Sequence, residues 1–200
     1  MTSSSLSSHR RAGVVCLIIL LCIAASSWLP ARAEDPARSP MAKAPDFSAK
    51  DLSGKTIHLA DLLKTGPVLV DFWTTWCKPC KNELPELDKL HRAYRDRGFK
   101  VVAIAEDDPK TVLGVKQIVT QKKWEMIILT DTKKDVGNSF NVRNYPTSFL
   151  IAQDGTIVNF AQGYMPGDEK PLEAKVVGLL GQGAGTTSTS GTTRGSGESK

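Results

Sequence analysis

The period of the apolar positions changes repeatedly along the chain, and each change predicts an element. Residues 68–73 (Val68, Leu69, Val70, Asp71, Phe72, Trp73) form a short β-prone run, as a buried central strand requires. A helical pattern follows, with Leu84, Leu87, Leu90 and Tyr94 on one face and Lys81, Asn82, Lys89, Arg92 and Arg95 largely on the other; it ends near Gly98. Residues 101–105 read as the next buried strand. Asp108 and Pro109 then predict a helix start, with the proline in the first turn and Val112, Val115, Ile118 and Val119 as its apolar stripe. The acidic run Glu106, Asp107, Asp108 is expected to cap that helix or to shape partner choice. A strand is predicted over 126–129 and a short helix over 135–140. Residues 147–151 and 156–160 flank Gln153, Asp154 and Gly155, a hairpin signal. A last helix is predicted over 168–180. Strands alternating with helices argue for an α/β fold with a parallel core, to which the hairpin adds antiparallel strands.

The two ends follow other patterns. Val14 to Ala25 is an unbroken run of twelve apolar residues behind His9, Arg10 and Arg11, and Ala31, Arg32 and Ala33 come after it. A basic start, a short apolar stretch and a small-x-small end describe an export signal over 1–33, with cleavage after Ala33. Twelve residues are short for a bilayer span, which takes about 20; an uncleaved anchor is the minor option. Lipidation at Cys22 is disfavoured, because Leu21 stands where a small residue is needed. Residues 34–44 read as a proline-bearing linker, and 182–200, almost all Gly, Ser and Thr, as a tail with nothing to bury. One domain of about 137 residues remains, over 45–181.

Composition sharpens this division. With 24% charged residues, 40% apolar residues and four tryptophans, the chain is neither wholly disordered nor a multi-span membrane protein. The formal net charge of +5 hints at a nucleic-acid or membrane partner, but residues 1–33 contribute Arg10, Arg11 and Arg32 and no acid. Without them 23 basic residues face 21 acidic ones, a net charge of +2, which gives no reason to expect nucleic acid. Cysteine divides the same way: Cys16 and Cys22 lie in the signal, whereas Cys77 and Cys80 form a C-x-x-C in the domain.

That pair carries the candidate chemistry. Trp76, Cys77, Lys78, Pro79 and Cys80 lie between a strand and a helix, so Cys77 meets the unsatisfied N–H groups and positive dipole of a helix N-terminus. Lys78 adds a cation. Cys77 is therefore expected to be an exposed, low-pKa nucleophile, and Cys80, one turn along and facing inward, the thiol that resolves a mixed disulfide. An inert disulfide or half of a zinc site are the alternatives. Zinc would need two further ligands, and the only histidines in the domain, His58 and His91, read as surface or satisfied side chains. No metal and no cofactor is expected.

The segment from Val68 to Cys80 resembles the active-site strand and turn of thioredoxin, and Trp76 to Pro85 resembles the W-C-x-P-C-x-x-E-x-P signature of the exported TlpA/ResA branch of the thioredoxin-like superfamily. Asn144, Tyr145, Pro146, Thr147 and Ser148 are similar to its cis-proline loop, and residues 54–62 to its N-terminal hairpin and helix. The resemblance implies a thioredoxin-like fold: a central mixed sheet flanked by helices, with an N-terminal extension and an inserted helix–strand unit. It implies that Pro146 is cis and that its loop, with Tyr145 and Trp76, takes the substrate chain. It implies further that Asp71 exchanges a proton with Cys80 and that Glu83 tunes the thiols. Carrying both acids is a departure, since ResA-like members often lack the strand acid. Strand 101–105 also has no lysine like the one that partners thioredoxin's buried acid. At least one of the two carboxyls should then have a raised pKa, unless Glu83 is an ordinary first-turn acid and Asp71 is only structural.

The expected function is an exported thiol–disulfide oxidoreductase. It would act as a reductase of protein disulfides, in cytochrome c maturation or on other periplasmic cysteines, and be re-reduced by a membrane thiol carrier. Proline rather than histidine before Cys80 favours the reducing direction, and Lys78 weakly opposes it. A peroxiredoxin-like thiol peroxidase is an alternative: Thr74 stands three residues before Cys77 as that signature requires, but Val70 occupies its proline position. A non-catalytic copper- or thiol-binding protein is another. A monomer is expected by analogy of fold.

Overall fold

The computed structural model describes residues 42–182. The expected signal with Cys16 and Cys22, residues 34–41 of the expected linker, and the tail beyond Gln182 lie outside the described residues. Among those described, no helix is long and apolar enough to cross a membrane.

Seven strands form one mixed sheet: β1 (Ser48–Asp51), β2 (Thr56–His58), β3 (Val68–Trp73), β4 (Lys100–Ala105), β5 (Ile127–Thr130), β6 (Thr147–Ile151) and β7 (Ile157–Gln162), in the spatial order β2-β1-β5-β4-β3-β6-β7. Pairing is parallel only between β3 and β4 and between β4 and β5. Parallel neighbours need a crossover, and α2 (Lys78–Tyr94) and α3 (Val112–Lys122) supply the two. The remaining helices are α1 (Leu59–Leu63), α4 (Asp135–Ser139) and α5 (Glu169–Gln182). β6 runs antiparallel to β3 and turns at Gly155 into β7. This is the expected thioredoxin-like mixed sheet.

Every residue of β3 is buried, because the sheet is covered on both faces. Its two-residue period divides the core. Leu69 and Trp73 pack with Leu84 and Leu87 of α2 and with Val115, while Val70 and Phe72 pack on the other side with Leu59, Phe140 and Phe149. Asp71 has the parity of Leu69 and Trp73 and so faces the side covered by α2.

Three local expectations need correction. The helix after β4 begins at Val112 behind the cap residue Thr111, not at Pro109. Asp108 Oδ1 accepts from the Lys110 and Thr111 backbone N–H groups at 2.7 and 3.0 Å, closing a turn around Pro109 instead of capping a helix. Glu106 and Asp107 are buried and likewise cap nothing. The last three residues of the expected linker are tied to the β6–β7 turn: Lys43 bridges Thr156, and Ala44 N donates to Gly155 O at 2.9 Å.

Gly66 and Gly98 pack backbone against backbone where the chain enters β3 and β4. Gly98 has φ 95°, and a side chain there would also collide with the Thr65 carbonyl oxygen. Gly98→Ala is expected to cost on the order of 2–3 kcal/mol in urea denaturation, from strain and overlap together.

Candidate active site

β3 ends at Trp73, and its carbonyl accepts from Glu106 N at 2.9 Å. The chain then turns through Thr74 and Thr75, with Cys77 N donating to Thr74 O at 3.1 Å, and delivers Cys77 to the N-cap of α2. Pro79 lies in the first turn, where the missing N–H is no loss. Cys77 and Cys80 are joined as a disulfide, Cα atoms 5.4 Å apart. The Cys80 backbone N–H donates to Cys77 Sγ at 3.2 Å. An N–H so placed, with the dipole of a 17-residue helix, favours a thiolate at Cys77 over a thiol.

Cys77 is the more accessible sulfur, but only just: the residue is 5% exposed and Cys80 fully buried. The expectation of an exposed Cys77 is corrected to that extent for the disulfide form. Trp76 beside it is 65% exposed and forms the rim. The Tyr145–Pro146 peptide is cis. The rings of Trp76 and Tyr145 meet edge to face with centroids 5.7 Å apart, which brings the cysteine loop and the proline loop together.

Both acids are buried. Asp71 is fully buried opposite Ala103 of β4 and Ser148 of β6, and neither carboxyl oxygen has a hydrogen-bond partner among the described residues. Burial, and then the charge of Glu83, hold its pKa well above the ordinary carboxylate range. Glu83 stands three residues after Cys80 on the buried face of α2, in the second turn and not the first, so a merely dipole-stabilised surface acid is excluded. Its Oε2 is unpartnered, and burial, with Asp168 as the lesser cause, pushes its pKa up to about 8. Glu83 also lines a cavity of about 340 Å³ shared with Ser148, Tyr164 and Asp168. Lys100, at the start of β4, donates to Thr65 and Leu62 O and does not serve Asp71.

The structure does not gather the histidines here. His58 is exposed ahead of α1. His91 lies eleven residues past Cys80 on α2, roughly 16 Å along the helix, with its Nδ1 accepting from Val101 N.

Sequence reasoning missed four residues: Tyr164 and Asp168, which line the cavity with Glu83, and Glu106 and Asp107 at the end of β4. The last two had a usable signal, since the carboxyl ends of parallel strands are where α/β sheets place their sites.

A family model described as the AhpC/TSA family matches residues 40–160. The chain belongs to the AhpC/TSA family. Among relatives of this AhpC/TSA member, a thiol-disulfide oxidoreductase ResA of Bacillus thuringiensis (strain Al Hakam) is 38% identical over 116 residues, which are 58% of this chain and 65% of the relative. The chain thus spans just under two thirds of that protein's length. A ResA of Geobacillus kaustophilus (strain HTA426) is 32% identical over 162 residues, 80% of this chain and 91% of the relative. Among solved structures, a secreted Mycobacterium tuberculosis disulfide oxidoreductase superposes with a TM-score of 0.56 at 26% identity, covering 66% of this chain and 95% of that one.

Proposed function

We propose that the protein is an exported thiol–disulfide oxidoreductase that reduces protein disulfides. The reading rests above all on the Cys77–Cys80 disulfide at the N-terminus of a long helix, next to a cis-proline loop. The naming of the relatives as thiol-disulfide oxidoreductases supports it. In this reading Cys77 thiolate attacks one sulfur of a substrate disulfide and expels the other as a thiolate. Cys80, losing its proton to one buried acid in its carboxylate form, Glu83 or Asp71, then attacks Cys77 Sγ. The substrate leaves with both cysteines reduced, and the two electrons it gained leave Cys77 and Cys80 oxidised. A dithiol donor must reverse that last change, and we assign this to a membrane thiol carrier. Trp76, Tyr145 and Pro146 take the substrate segment, and an exported apocytochrome c is a fitting substrate, since its cysteines must be reduced before haem attachment. Residues 1–33 act as the export signal, the folded domain covers about 45–181, and it works as a monomer.

The peroxidase reading is weaker on this chain, because Val70, in the place of its proline, is a core residue of β3. Rapid consumption of hydrogen peroxide by the reduced protein, lost in Cys77→Ser, would favour it instead.

Equilibration of the pair with a thiol redox buffer tests the direction. With Pro79 before Cys80, the potential is expected below about −150 mV, on the reducing side of the strong oxidants. A value at or above that overturns the assignment as a reductase.

A further inference from the structure

Glu106 and Asp107 follow β4 directly, and both are buried, which carboxylates avoid unless something holds them. Asp107 is held by Thr75, accepting from its backbone N–H at 2.9 Å and from its hydroxyl. Thr75 lies two residues before Cys77. Glu106 Oε2 accepts from the hydroxyl of Tyr145, the residue immediately before cis-Pro146. Adjacent residues on one strand end therefore grip the two loops that border the disulfide.

Other contacts fix Glu106 in that place. Lys134 Nζ lies 5.6 Å over the Tyr145 ring, and Trp76 meets the same ring from the other loop. Oε1, the second carboxyl oxygen of Glu106, is buried and unpartnered among the described residues and abuts Gly137. Gly137 sits inside α4 with no left-handed φ, so its backbone does not call for glycine; any Cβ there would overlap the Glu106 carboxyl. The glycine makes room for the acid, and the acid reaches Tyr145.

We propose that Glu106 is a positioning residue for the exchange reaction: through Tyr145 it holds the cis-proline loop at a set separation from the cysteine loop, which Asp107 holds through Thr75. The pair fixes the groove that receives an extended polypeptide segment. The inference rests on the oxidoreductase reading and adds to it the residues that set its preference for protein disulfides over small ones.

Steady-state reduction of insulin and of the small aromatic disulfide DTNB, with dithiothreitol as the dithiol donor and its direct reaction subtracted, by wild type, Glu106→Ala, Glu106→Gln, Tyr145→Phe and the Glu106→Ala/Tyr145→Phe double variant, tests it. Glu106→Ala and Tyr145→Phe are each expected to raise KM for insulin about 3- to 10-fold, the factor that one hydrogen bond sets. For Glu106→Ala, kcat and the KM for DTNB should stay within about twofold of wild type. The double variant should match the singles, since both remove one contact, and Glu106→Gln, which keeps an acceptor oxygen, should recover most of the loss. An unchanged insulin KM, an equal loss on DTNB, additive effects, or a Gln variant as defective as Ala would each overturn the proposal. Should Glu106→Ala fail to fold, Gly137→Ala displaces the carboxyl without removing it, and the same rise in insulin KM is expected; an unchanged KM overturns the inference. A wild type inactive on both disulfides would instead sink the oxidoreductase reading, and the inference with it.

Discussion

Mixed in reduced form with a disulfide-bearing protein, the Cys80→Ser variant is expected to accumulate as a covalent adduct through Cys77, visible on a non-reducing gel and released by dithiothreitol. The geometry determines which cysteine traps and which resolves. Cys77 is the cap residue of α2 and receives the Cys80 N–H, whereas Cys80 is sealed beneath it with no surface of its own. Only Cys77 can be reached by a sulfur from outside, and only Cys80 is already in bonding range once Cys77 is occupied. Removing Cys80 leaves the first attack intact and deletes the step that ends it. Cys77→Ser is expected to form no adduct and to lose at least about 1000-fold in turnover, as loss of a nucleophile does. The same trap applied in the native host would identify substrates. An adduct formed by Cys77→Ser and not by Cys80→Ser would reverse the two roles, and no adduct with any protein disulfide would remove the case for a reductase.

How much of this was legible in the sequence follows from what kind of signal each part carries. The central strands were, because β3 and β4 are continuous apolar runs that nothing but a doubly covered sheet explains. The redox pair was, because a C-x-x-C between a strand and a helix has few other readings. The burial of Asp71 was also foreseeable, from one charge inside an apolar run. The start of α3 was not: Asp108 and Pro109 suit a first helical turn and an Asx-type turn equally, and only the tertiary placement of Thr111 decides between them. Glu106 and Asp107 were misread for a related reason. An acidic run before an apolar stripe is a helix-start signal, and the hydroxyls that claim these two carboxyls come from Thr75 and Tyr145, 32 and 39 residues away along the chain. Local pattern does not register partners at that distance. Glu83 was legible as a site residue through the signature, but its depth was not, since α2 turns it inward only once the helix start is fixed at Lys78.

Raising the pH from about 4.5 to 8 is expected to weaken what Glu83 and Asp71 contribute to the fold, and the two acids should divide the effect between stability and catalysis. A carboxyl whose pKa is raised on folding binds more protons in the native state than in the unfolded chain between its two pKa values, so stability falls with pH across that window. For Glu83 the window runs from the ordinary value of 4.5 to about 8, and Asp71, raised well above 3.8, acts in the same direction. Asp71→Asn should therefore raise Tm at pH 8 and leave it nearly unchanged at pH 4, because an amide is neutral without the proton that Asp71 must take up on folding. Kinetics should favour the other acid. Glu83 lies on the same helix face as Cys80, its pKa of about 8 is close to the ordinary thiol value of about 8.5, and the cavity gives its proton a way out to water. Glu83→Gln is expected to slow resolution of the mixed disulfide by roughly 100-fold and to remove the pH dependence of that step near 8, measured by stopped-flow single turnover of the reduced protein, with Cys80 present, on a protein disulfide. If Asp71→Asn instead gave the larger kinetic loss and no stability gain at pH 8, the proton would leave through the strand acid and Glu83 would only tune it.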